Sequence, residues 1–159
     1  MADSGTKDFG SILSGGLYRI PNYQRGYAWT ESEVNDLLDD LEYVTDQPKS
    51  PEEHYLSSII VAETSGVDDK LHVIDGQQRL LTASLVANEI LRKTESIYSG
   101  GDPESKHFKD EIVNRLYNDV FKSSPSKVAH RVLPAEEHRG VYRNVVSEDI
   151  DAPRNMEEI

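Results

Sequence analysis

The stretch Val73-Ile74-Asp75-Gly76-Gln77-Gln78-Arg79-Leu80-Leu81-Thr82 sets an acid, a glycine, two amides and an arginine side by side. An apolar, β-branched run turns at Asp-Gly and passes directly into a helical pattern. The first turn of such a helix has backbone N–H groups without partners, and its dipole is positive there. Such a terminus receives anions, phosphate above all. Gly76 lets the backbone come close, and Arg79 offers a planar fork that matches two phosphate oxygens. Gln77 and Gln78 can donate to phosphate, sugar or water. Asp75, odd beside an anion, is explained if it holds a divalent cation next to the phosphates or activates a water. The same pattern also suits a plain capped strand–helix junction, with Asp75 as the cap and Arg79 paired to a nearby acid.

A second segment, Ile20-Pro21-Asn22-Tyr23-Gln24-Arg25-Gly26-Tyr27-Ala28-Trp29, reads as an aromatic loop around one cation. Aromatics beside a basic residue can stack on a base while the cation meets phosphate. In the alternative, Tyr23, Tyr27 and Trp29 form a hydrophobic lid on the next helix and Arg25 makes a salt bridge. Trp29 reads as core, Gln24 and Arg25 as functional. Lone His54 precedes a strand and has the character of a structural hydrogen-bonder. His72, His107, His130 and His138 show no metal-ligand spacing, and Asp36, Asp39 and Asp40 read as a solvated helix face.

The elements that must position these residues follow from periodicity. Residues 9–17 suggest a short helix ending at Gly15-Gly16 in a left-handed cap, and Tyr18-Arg19-Ile20 an extended piece before Pro21. Thr30-Glu31-Ser32-Glu33 is a capping box opening a helix with Val34, Leu37, Leu38, Leu41 and Val44 at helical spacing, stopping near Asp46. Residues 55–62 and 71–74 predict a β-hairpin around a Gly66, Asp68-Asp69 turn. A helix is predicted from Gln77 to about Lys93, with Leu81, Leu85 and Leu91 on its buried face. Another follows over 104–121, with Phe108, Ile112, Leu116 and Val120 in register. Then come a loop at 123–126, a strand at 128–133 and a helix at 136–146. The acidic tail 148–159 reaches no terminator, so the chain is expected to run on into a further helical region.

The 159 residues suit one domain. They carry 29 acidic and 17 basic side chains, a formal net charge of -12. Such a balance disfavours a broad DNA-binding face, because the phosphate backbone attracts positive surface. It leaves room for a narrow basic cleft, and it suits solubility in a salt-rich cytoplasm. Without cysteine there are no disulfides and no thiolate metal sites. No apolar run is long enough to span a membrane, and the first residues lack the marks of a signal peptide, so a cytoplasmic location and no membrane partner are expected.

In order and spacing, Ile20 to Trp29 ("IPNYQRGYAW"), then "HYLSSIIV" and "VIDGQQRLLTAS", resemble the GmrSD-type restriction endonuclease N-terminal domain (domain of unknown function 262). The likeness covers about residues 9–93, with a weaker echo in "HRVLPAEEHRGVYRNVV". It implies an α+β fold of the ParB/sulfiredoxin-like kind: a small mixed β-sheet with packed helices, followed by the start of a helical region. On that reading residues 1–98 form the nucleotide- and phosphate-binding core and 99–159 a mainly helical extension. The resemblance further implies a nucleotide-sensing or nucleotide-hydrolysing part of a modification-dependent restriction, phage-defence protein. Asp75, Gly76, Gln77, Gln78 and Arg79 would be the nucleotide-phosphate motif, with Gln24, Arg25, Tyr27 and His54 facing the same pocket. Many members continue into an HNH-type nuclease domain. This chain has no such histidine–asparagine cluster, so a nuclease domain or subunit would be supplied elsewhere. One departure stands out: the resembled family usually has glycine after "HFL" or "HYL", where this chain has Ser57.

Three functions are thus expected to compete. One is hydrolysis of a nucleoside triphosphate with Mg²⁺, Asp75 and Arg79 being catalytic and Asp75 the metal ligand. Another is a non-catalytic module sensing DNA or a modified base. A scaffold domain with an aromatic core loop is the third reading.

Overall fold

The computed structural model describes residues 5, 7–45, 57–63, 70–97, 103–124 and 127–146. The chain runs α1 (Phe9–Gly15), β1 (Tyr18–Arg19), α2 (Glu31–Thr45), β2 (Ile60–Glu63), β3 (Leu71–Asp75), α3 (Gln77–Ile97), α4 (Pro103–Val120), β4 (Phe121–Ser124), β5 (Lys127–His130), β6 (Val132–Leu133), a 3₁₀ turn (Glu136–His138) and α5 (Arg139–Val145). It is the α+β fold expected, with helices packed around a small mixed sheet.

The sheet has the order β2-β3-β1-β6. β2 and β3 form the expected antiparallel pair, Val61 opposite Val73. The two-residue β1 lies at the centre, parallel to both neighbours: Tyr18 pairs with Leu71 on one side and Val132 on the other. Tyr18 N–H donates to Arg131 O at 2.6 Å and Ile20 N–H to Leu133 O at 2.9 Å. Elements from both sides of the division expected at residue 98 therefore share one sheet. They also share one core, in which Ile20, Val73, Leu80 and Leu91 join Val120, Phe121, Val132 and Val146. The reason is that β1 alone satisfies neither of its edges, and the backbone groups of residues 131–133 supply one of them.

Several local expectations change. α1 ends at Gly15, but Gly16 is extended (φ -154°) rather than left-handed. A side chain at Gly16 would stand 3.1 Å from the Tyr18 ring and 3.1 Å from Leu71 Cδ1, so close packing accounts for this glycine. At the start of α2, Glu33 accepts from the Thr30 N–H at 2.7 Å and from the Thr30 hydroxyl, so the threonine donates to its partner. Of the apolar series on α2 only Leu37 is buried, while Leu38 and Val44 are exposed. On α4 the buried stripe is Val113, Tyr117 and Val120, and Phe108 is 56% exposed. A second hairpin, β4–β5, stands where a loop at 123–126 is expected, with Phe121 opposite His130.

α3 is unusual in burying polar side chains: Gln77, Gln78, Thr82, Ser84 and Asn88 are all less than a tenth exposed. Towards its C-terminal half these face α5. The Ser84 hydroxyl bonds the Tyr142 hydroxyl at 2.8 Å, and Asn88 Nδ2 donates to Val145 O. Burial pushes the Tyr142 phenol up to about 12. Towards the N-terminus the same polar stripe builds the candidate site.

Candidate functional site

β3 delivers Asp75 to the sheet end, and Gly76 turns the chain with φ +83°. This is the left-handed region that glycine enters without penalty. A Cβ there would also come within 3.0 Å of Ser58 O and of Ile59 Cγ1, so the turn is packed against the entry to β2. The first bond of α3 is Leu80 N–H to Gly76 O at 3.0 Å. The N–H groups of Gln77, Gln78 and Arg79 therefore precede the helical ladder. The Asp75 side chain is exposed and caps nothing among the described residues.

The aromatic loop lies across this helix start and is bonded to it. Gln77 Nε2 donates to Arg25 O at 3.1 Å, and Gln78 Nε2 donates to Gly26 O at 3.0 Å. The other end of Gln78 accepts from Ala28 N–H at 2.8 Å. Gln24 Nε2 reaches the last strand turn, donating to Ile74 O at 3.1 Å. Tyr27 and Thr82 hydroxyls lie 2.8 Å apart, and Thr82 donates to Gln78 O at 2.8 Å. With its proton so used, Thr82 must accept from Tyr27. The glutamines are thus clamps for the loop backbone. Gln77 Oε1 is buried without a hydrogen-bond partner.

This clamp ties the loop that carries Arg25 to the helix turn that carries Arg79. Arg25 is exposed on the loop, while Arg79, on the first turn of α3, stands with its guanidinium carbon 5.8 Å from the Trp29 ring centroid, a cation–π contact. No described carboxylate pairs with either guanidinium. Trp29 is half-buried, and Tyr23 is 76% exposed, so the loop is not a sealed apolar lid. His54 lies outside the described residues.

Sequence reasoning missed the far wall of the loop. Asn22 Nδ2 donates to Glu136 Oε2 at 3.2 Å, and Glu136 N–H returns a bond to Asn22 Oδ1 at 3.0 Å. His138 packs on Gly26, where an added Cβ would overlap its Nε2. The only sequence signal was the motif echo at 130–146. Ser57 is informative too. It is the one described non-glycine residue with positive φ, at 115°, the position at which the resembled family carries glycine.

A hollow of about 460 Å³ lies elsewhere, between α1 and α4, and none of the predicted site residues lines it. Asp8, Arg115, Asp119 and Arg131 do. Burial raises the Asp119 carboxyl above its ordinary value against the pull of Arg115 and Arg131. Arg131 donates to the carbonyls of Asn118, Phe121 and Gly16. No group of three or more metal-ligating side chains occurs among the described residues.

An α+β domain whose strand–helix junction and basic loop are joined by paired amides is the class that fold and site define. The family model described as GmrSD restriction endonuclease, N-terminal domain, matches residues 7–155, and the chain belongs to that family. Membership places it among restriction, phage-defence proteins. Comparison with the curated proteins gave no match. No helix among the described residues is long and apolar enough to cross a membrane.

Proposed function

We propose that the start of α3 and the Arg25 loop bind the phosphates of a nucleoside triphosphate, and that its hydrolysis regulates or powers a restriction complex. One observation carries the reading: two arginines without carboxylate partners among the described residues lie on two segments hydrogen-bonded to each other, one of which also holds N–H groups that precede the helical ladder. Arg79 and Arg25 would share phosphate oxygens, and charge developing on them is what such donors stabilise. Gln77 and Gln78 act here by holding Arg25 in place. Asp75, exposed at the same turn, fits Mg²⁺, which often takes one or two carboxylates with substrate phosphates completing its sphere. The cation would offset phosphate charge.

The test is a thermal-shift screen against the nucleoside triphosphates with and without Mg²⁺, because a ligand that binds only the folded state raises its stability by mass action. Stabilisation that vanishes in Arg79→Ala and Arg25→Ala is expected, with phosphate release lost in Asp75→Ala. Stabilisation that survives both arginine variants would sink the reading.

A second reading is favoured by Tyr23, whose ring is 76% exposed next to Gln24 and Arg25. The loop would then stack on a base and sense DNA without chemistry. In that case Tyr23→Ala weakens DNA binding, and Arg25→Ala reduces its salt dependence.

A further inference from the structure

Gly26 is clasped from two directions. Its carbonyl accepts from Gln78, and the His138 ring stands where a side chain on residue 26 would grow. An added Cβ would overlap Nε2 and lie 3.1 Å from Cε1. The backbone at Gly26 does not have positive φ, so the close ring, and not backbone strain, requires the missing side chain here. His138 Nε2 is buried and in no hydrogen-bond geometry, although Glu137 Oε1 is 3.0 Å away. The contact with Gly26 is therefore one of shape. The turn that carries His138 is itself tied to the loop by the reciprocal Asn22–Glu136 pair. Arg139 Nε closes the same turn on Pro134 O at 3.2 Å.

We propose that His138 is a positioning residue for Arg25: its ring presses the Arg25-Gly26-Tyr27 backbone onto the glutamines of α3 and so sets where the Arg25 guanidinium points. This rests on the reading of Arg25 as a phosphate ligand, and it adds the turn at 136–138 as the second wall of that site. A side chain at 26 and the ring at 138 compete for one space. Enlarging the first should displace the loop, and removing the second should make room for it.

The experiment compares wild type, Gly26→Ala, His138→Ala and the double variant. Trp29, the sole tryptophan, reports loop position by its emission. Affinity for MgATP and MgGTP is measured by calorimetry at a temperature where circular dichroism shows each protein folded. Gly26→Ala is expected to shift Trp29 emission and weaken nucleotide binding about tenfold, the scale of one lost charge-assisted hydrogen bond. His138→Ala should weaken binding by about threefold, and the double variant should return to the His138→Ala value. A purely structural ring would lower the unfolding midpoint and leave affinity in the folded protein unchanged. If Gly26→Ala fails to fold, recovery of folding in the double variant supports the shared space and its absence overturns it. Wild-type emission and affinity in Gly26→Ala, or a double variant as impaired as Gly26→Ala, would overturn the proposal. Should wild type bind neither nucleotide, the phosphate reading fails by itself. The emission series then still decides the contact, and four identical spectra would refute it.

Discussion

Replacing Gln78 by alanine separates a clamp from a ligand contact. The side chain is 6% exposed and holds two backbone groups of the loop, Gly26 O at 3.0 Å and Ala28 N–H at 2.8 Å. Each such bond contributes about 1 kcal/mol net, and a buried group left unpaired costs about 1–3 kcal/mol. The loop is partly open to water, which can re-enter and satisfy part of what is lost, so the lower end applies. Gln78→Ala should destabilise by about 2–3 kcal/mol. For a domain of this size that is a fall of roughly 4–12 °C in the unfolding midpoint. The assay is urea unfolding followed by circular dichroism, in which the midpoint should drop with an unchanged slope. Gln78→Glu sharpens it. The carboxylate can still accept from Ala28, but it turns an oxygen towards Gly26 O. Burial beside that carbonyl raises its folded pKa, so the native state binds the extra proton and stability should fall as pH rises from 4 to 7. A change below about 0.5 kcal/mol in Gln78→Ala would refute the clamp and return the amide to the ligand.

Three further outcomes follow from the same geometry. Ser57→Gly should raise stability by about 1 kcal/mol in urea titration, because a serine at φ 115° pays a backbone penalty that glycine does not; an unchanged or lower midpoint would contradict the strain. Gly76→Ala should lose about 2 kcal/mol or more, combining the left-handed penalty with contacts of 3.0 Å to Ser58 O and Ile59 Cγ1; differential scanning calorimetry checks this, and a shift within error would argue against the turn. Asp119 is raised by burial, so the folded state holds its proton more tightly and stability falls as pH climbs from the ordinary carboxylate range through the raised pKa. Asp119→Asn should remove that contribution and stabilise the protein at neutral pH, and a variant less stable than wild type at pH 7 would reverse the sign.

The junction at residues 73–82 was legible because three independent signals coincide there: a β-branched run, an Asp-Gly turn and a helical period. The β2–β3 pairing was legible for the same kind of reason. The work of the glutamines was not. Their partners are the carbonyls of residues 25 and 26, some fifty positions away, and a polar residue on a helix gives no sign of whether it faces water or a loop. Phe108 was misplaced because α4 has apolar residues on adjoining faces, and only packing on α3 decides which one is buried. β1 and β6, two residues each, are too short to show an alternation, and their parallel pairing is fixed by the partner strands. Gly16 reads as a helix stop in any sequence, yet here its role is steric, against Tyr18.

The short central strand bears on how this protein is made. Tyr18 and Ile20 need hydrogen-bond partners that leave the ribosome only after residues 131–133 are synthesised, and the Asn22–Glu136 tie spans 114 positions. Contacts so distant close late, because the intervening chain must be ordered first. A nascent chain stopped near residue 98 would carry the whole Asp-Gly-Gln-Gln-Arg motif and still lack one edge of its own sheet. Such stubs should be insoluble and quickly degraded, so a dissection meant to isolate the motif has to keep residues up to α5.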